Sequence, residues 1–179
     1  WRQVLNGVHS LPVCFASAAH ENTQAATAEL KFILQADDML ALRAAANRYE
    51  VGLDDLFLTA LGYSLYCWRH ERYQVEPSPI LIDLEGHGRE TGVSGLNLSQ
   101  TVGWFTSIYP VRLDWGNLDW AHASLGGRDW LDALLRVKQA LRETPDRGLG
   151  FGILRWLNND SRKELERAPQ AEIAFNYLG

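Results

Sequence analysis

The residues of this chain whose types and spacing could do chemistry gather in Ile82-Asp-Leu-Glu-Gly-His-Gly-Arg-Glu90. An apolar run delivers Glu85 onto a Gly-X-Gly loop, the open end of a strand, where a carboxylate on a rigid scaffold can serve as a general base. Gly86 and Gly88 flank His87 and let the backbone turn sharply and approach a ligand closely. Spacing alone leaves Glu85 equally readable as a solvated strand terminus, since polar residues are common at such turns. Arg89 and Glu90 can pair with each other or with Glu85, and a surface pair of that kind contributes little.

Two further segments carry weaker signals. Gly148-Leu-Gly-Phe-Gly152 looks like a phosphate loop, but it lacks the Lys-Ser/Thr ending and no strand leads into it. It reads as a tight turn before a helix. Asn176 and Tyr177 close the chain in an apolar strand, where buried polar groups need hydrogen-bond partners. A satisfied core pair is the simpler reading. His9, His20, His70 and His122 show no metal-ligand spacing, and neither do Cys14 and Cys67. No metal is expected, and the cysteines read as buried free thiols of a reducing compartment.

The elements that must position these residues follow from periodicity. Ala28, Leu30, Phe32 and Leu34 alternate with Glu29 and Lys31, the pattern of a half-buried strand over 28–34. Asp37 or Asp38 can cap a helix running through Tyr49, and Asp54 and Asp55 open a second. In the second, Phe57, Ala60, Leu61, Ser64, Leu65 and Trp68 recur at helical spacing. Ile80 to Leu84 read as a buried strand, 86–100 as a loop, and Trp104 to Leu113 as a strand whose Pro110 points to an edge or bulge. Leu131, Leu134, Leu135 and Leu141 mark an amphipathic helix over 128–142. A turn at Pro145–Gly148, a short helix around Ile153–Leu157, a helix capped by Ser161 and a strand through Ile173, Phe175 and Tyr177 complete the chain. Strands interleaved with helix pairs predict an α/β layered domain rather than a pure bundle or sandwich.

At 46% hydrophobic and 22% charged, the chain can bury a core. Its seven tryptophans are expected mostly inside. A net charge of -5 without a Lys/Arg cluster excludes a nucleic-acid surface. No apolar run spans a bilayer and no signal peptide opens the chain, so a cytoplasmic, membrane-free protein is expected. Trp1 at one end and Gly179 straight after an apolar run at the other suggest a piece of something larger.

Five segments together resemble the C-terminal half of the epimerization domains of nonribosomal peptide synthetases, within the condensation-domain superfamily. They are Asp55–Leu61, Glu85–Glu90, Thr101-Val-Gly-Trp-Phe-Thr-Ser-Ile-Tyr-Pro-Val111, Pro145–Gly152 and Phe175-Asn-Tyr-Leu-Gly179, in family order and across essentially the whole chain. The second and third are the specific ones. Amide-forming condensation domains typically carry Phe-Val-Asn-Thr where this chain has Trp104-Phe-Thr-Ser107. Phe151 stands where the family usually has Tyr. The family's His-His-X-X-X-Asp-Gly motif, which belongs to its N-terminal half, is absent.

The resemblance implies one lobe of a two-lobed, chloramphenicol-acetyltransferase-like fold with its active site in a channel between the lobes. Residues 1–179 would form the C-terminal lobe, truncated at both ends, and would be inactive alone. Glu85 would be one acid/base group, with Asn176 and Tyr177 lining the same site. A histidine of the N-terminal lobe would serve the opposite face of the substrate Cα. His87, Arg89, Trp104 and Thr106 would shape the loop and channel. The base would need to be partly desolvated, because a Cα–H beside a thioester is only weakly acidic. The substrate would arrive on the 4′-phosphopantetheine arm of a peptidyl carrier (thiolation) domain, so no cofactor would bind directly. An amide-forming condensation domain and a non-catalytic carrier-docking lobe are the alternatives.

Overall fold

A computed structural model of the chain describes residues 1–11, 23–74, 78–89, 97–98, 100–116, 118 and 127–178. Glu90, Cys14, His20, His122 and most of the 86–100 loop lie outside them. The apolar run Ile80–Leu84 becomes the centre of a three-stranded mixed sheet. Strand β1 (Ile80–Gly86) pairs antiparallel with β2 (Ser107–Leu113) and parallel with β3 (Ile173–Phe175), in the order β2-β1-β3. A strand covered on both faces has no polar side to alternate with, which is why Ile80, Leu81 and Ile82 are consecutive and buried.

Each face has its own helices. Helices α3 (Leu53–Tyr73) and α4 (Arg128–Glu143) bring Leu58, Ala133 and Val137 against Ile80, Ile82, Leu84, Val111 and Leu113. On the other face, α1 (Arg2–Leu5) and α5 (Asn159–Arg167) bring Leu5 and Leu165 against Leu81 and Phe151. Helix α2 (Ala36–Tyr49) docks Ala46 on Leu56 and Leu134. The α/β layered architecture expected from the sequence is the one found.

The aspartates do cap helices, but from inside the first turn. Gln35 N–H donates to Asp38 Oδ2 at 3.2 Å, and Gly52 N–H donates to Asp55 Oδ2 at 2.7 Å. Helix α5 is capped by Asn158 rather than Ser161. The Asn158 Oδ1 accepts from the N–H groups of Asp160 and Ser161, each at 3.0 Å.

Several expectations fail for identifiable reasons. Residues 28–34 form no strand, and Leu30, Phe32, Ile33 and Leu34 are exposed. Alternation signals an amphipathic segment without supplying a neighbour, and no strand of the described sheet pairs with these residues. Strand β2 starts at Ser107 rather than Trp104, because residues 100–105 are held in a loop by Arg89. It is an edge strand, as Pro110 implies. In α4 the buried stripe is Ala133, Leu134 and Val137, while Leu135 faces out. Among the described tryptophans only Trp115 is buried. Trp104 and Trp156 are exposed, and Trp1, Trp68 and Trp130 are half-buried. Cys67 is a free thiol, half-buried rather than buried.

Candidate active site

The sheet register places the candidate base. Leu84 lies opposite Phe175 on parallel strands, so the next residue of each, Glu85 and Asn176, fall side by side on one face. Asn176 Nδ2 donates to Glu85 Oε2 at 2.6 Å, a charge-assisted contact. The Tyr177 ring lies 5.5 Å from that of Phe57 in α3. The buried core pair read from the sequence is thereby corrected. The strand ends at Phe175, Asn176 and Tyr177 are exposed, and the partner of Asn176 is Glu85. Glu85 is exposed too, so the desolvation expected of a base is not supplied within these residues.

The loop after β1 is locked at three points. Gly88 sits in the left-handed region at φ 63°, and a Cβ there would collide with the Phe105 carbonyl, so only glycine fits. That turn brings the Arg89 N–H back to His87 Nδ1 at 2.9 Å. The Arg89 guanidinium donates to the carbonyls of Leu98 and Thr101 at 2.8 Å each and of Gly103 at 3.3 Å, and lies 4.5 Å from the centroid of the Phe105 ring. The second and third sequence motifs are thus one structural unit. Trp104, 97% exposed, and Thr106 stand on it in solvent.

Glu85, His87 and Tyr177 line one cleft of ≈ 520 Å³ between the sheet end and the helices, together with Tyr109, Asp55, Lys138 and Arg147. Arg89, Trp104, Thr106 and Asn176 do not line that cleft. Burial raises the Asp55 carboxyl above its ordinary value, opposed by the Gly52 N–H bond and by Lys138 and Arg142 nearby. Among the described residues no group of His, Cys, Asp or Glu could hold a metal ion, and no helix is long and apolar enough to cross a membrane.

Sequence reasoning missed two features. Tyr109 presses its ring where a Cβ on Gly148, at φ 84°, would stand, and the neighbouring Asp146 and Arg147 are left-handed at φ 46° and 49°. From the sequence, Pro145–Gly148 is only a turn. Asp83, two residues before Glu85 on the same face, lines a second cleft of ≈ 270 Å³ with Arg155 and Ile108. Burial pushes its carboxyl up, and Arg155 draws it down less strongly. An acidic residue inside an apolar strand was the available signal.

The condensation-domain family model matches residues 1–179. A linear gramicidin synthase from Brevibacillus parabrevis is 38% identical across all of this chain, which spans 2% of that protein. Chondramide synthase from Chondromyces crocatus is 34% identical, again across the whole chain and 4% of the relative. Among solved structures, the epimerization domain from the third module of tyrocidine synthetase B matches with a TM-score of 0.78 and 34% identity, over 99% of this chain and 37% of that one. The resemblance carried by the five motifs extends to sequence and fold alike. The chain belongs to the condensation-domain family.

Proposed function

We propose that this chain is the C-terminal lobe of an epimerization domain that converts L to D configuration at the Cα of a carrier-bound aminoacyl or peptidyl thioester. The observation that carries the reading is the Glu85–Asn176 pair at the end of β1, a carboxylate oriented by an amide at the rim of a large cleft. The epimerization domain of tyrocidine synthetase B as a structural neighbour and Trp104-Phe-Thr-Ser107 in the third motif support it.

In this reading Glu85 takes the Cα proton. The C–H electron pair forms the Cα=C bond of an enolate, and the carbonyl pair moves to oxygen. A histidine of the N-terminal lobe gives its proton to the opposite face, and before the next L substrate Glu85 passes its proton to solvent and the histidine takes one from solvent. The reverse reaction exchanges the two roles. The exposed carboxylate is desolvated when substrate and the second lobe close over it. The substrate comes on the phosphopantetheine arm of a peptidyl carrier domain, and the lobe binds no cofactor of its own.

The test is Glu85→Gln in the full-length protein, following Cα–H exchange in D2O on the carrier-bound thioester. We expect exchange to fall by about 10³-fold or more, since the base is removed while its shape is kept. Undiminished exchange would remove Glu85 as the base. Amide product from two loaded carriers, with no exchange, would mark the amide-forming reaction instead.

A further inference from the structure

We infer that the Asp83 cleft is the subsite for the substrate's α-ammonium group, so that the lobe favours aminoacyl thioesters with a free amine over peptidyl ones. The inference rests on Glu85 being the base, because that role places the reacting carbon.

The sheet sets the two carboxylates in line. Ile80, Ile82 and Leu84 of β1 pack toward α3 and α4, so Leu81, Asp83 and Glu85 belong to the opposite face. Residues two apart on a strand stand about 7 Å from each other. On β2, Ile108 lies directly opposite Glu85 and Pro110 opposite Asp83. Asp83, Ile108 and Pro110 all line the ≈ 270 Å³ cleft. The cleft therefore begins beside Glu85, at the exposed Ile108, and runs back along β1 to Asp83.

Asp83 is half-buried with its acceptor sites open. Among the described residues it takes no hydrogen bond or ion pair, and Arg155 acts on it through charge alone. Arg155 Nη1 donates instead to the Leu165 carbonyl at 3.3 Å, and the guanidinium lies 4.9 Å from the centroid of the Trp156 ring. A half-buried carboxylate without donors is costly until a ligand brings them. An ammonium group is compact, positively charged and carries three.

The span selects which amine. A carbon that gives its proton to Glu85 lies about 3.5 Å from that carboxylate. An amine one bond further on comes within hydrogen-bond reach of Asp83 across the strand spacing. An amine four or five bonds out on a side chain overshoots it, and an acylated nitrogen brings no charge. In the step this assigns, the Cα–H proton goes to Glu85 and the C–H pair forms the Cα=C bond. The ammonium keeps its protons, and its charge, one bond away, stabilises the negative charge developing at the carbon. Asp83 holds the amine in its protonated form and in place, and is unchanged at the end.

The test uses the full-length protein and the aminoacyl group its synthetase loads, free and N-acetylated, on the same carrier domain. The readout is the ratio of kcat/KM for Cα–H exchange in D2O, free amine over N-acetyl, which cancels the contribution of the carrier. Comparing that ratio between native protein and Asp83→Asn also cancels the intrinsic acidity of the two substrates. Asp83→Asn keeps the shape and removes the charge, and we expect it to lower the ratio by about 10-fold. A ratio equal to the native one, whether the two rates stay native or fall together, would overturn the inference and leave Asp83 a structural residue. Glu85→Gln run alongside separates the failures. Exchange abolished there with an unchanged ratio in Asp83→Asn defeats only the subsite, whereas exchange intact in Glu85→Gln defeats the base and the subsite with it.

Discussion

Asn176 holds Glu85 through a 2.6 Å bond between residues 91 positions apart, made by neighbouring places on two parallel strands. Parallel pairing makes this contact a property of register rather than of side-chain choice alone. A shift of β3 by one residue would bring Tyr177 to Glu85 and send Asn176 to the other face.

Asn176→Ala should therefore cost activity rather than stability. The bond is exposed, so the unfolding free energy is expected within about 0.5 kcal/mol of the native value. The kcat for Cα–H exchange should drop by about 10- to 100-fold, with KM nearly constant, because the carboxylate loses its orientation and not its charge. Equal losses in kcat and in thermal stability would mark Asn176 as a structural residue.

Arg89→Lys is not conservative here. The planar guanidinium serves three carbonyls and stacks on Phe105, whereas one ammonium on a flexible stem cannot keep that geometry. The loosening should be local. Hydrogen-exchange protection should fall across residues 100–105 and stay native in α3 and α4. Unchanged protection in that loop would show that the packing of Phe105 holds it without Arg89.

The strand-end carboxylate, the Gly-X-Gly turn and the α/β class were legible because each is local. An apolar run, two glycines and helical spacings report on a few consecutive residues. What was not legible is relational. The segment 28–34 alternates as a strand does, yet alternation does not say whether a neighbouring strand will pair with it. Asn176 and Tyr177 are adjacent, and only the register reveals that Asn176 is the one that meets Glu85. The Tyr109 ring packed on Gly148 is a contact that no spacing within Pro145–Gly152 encodes.

Gly88→Ala tests whether the loop lock is built from the backbone. The position is left-handed at φ 63°, and an added methyl would meet the Phe105 carbonyl. Left-handed strain alone costs about 1–2 kcal/mol, and the collision adds to it. A loss of about 2 kcal/mol or more is expected in thermal or urea melts, with exchange activity falling alongside. A variant as stable as the native chain would mean that Phe105 moves aside freely and that the two motifs are not coupled.

Asp83 should set a pH dependence on stability of opposite sense to that of an ordinary ion-paired carboxylate. Burial holds its carboxyl above the ordinary value of 3.8, and the pull of Arg155 is the smaller influence. A carboxyl raised on folding stabilises the fold in its protonated form. That contribution is complete below pH about 4 and fades as pH climbs through the raised folded value. Asp83→Asn keeps the shape and never ionises, so its melting temperature should match the native chain at pH 4 and below and exceed it increasingly toward neutral pH. The native chain proving the more stable at neutral pH would show that pairing with Arg155 outweighs burial at this site.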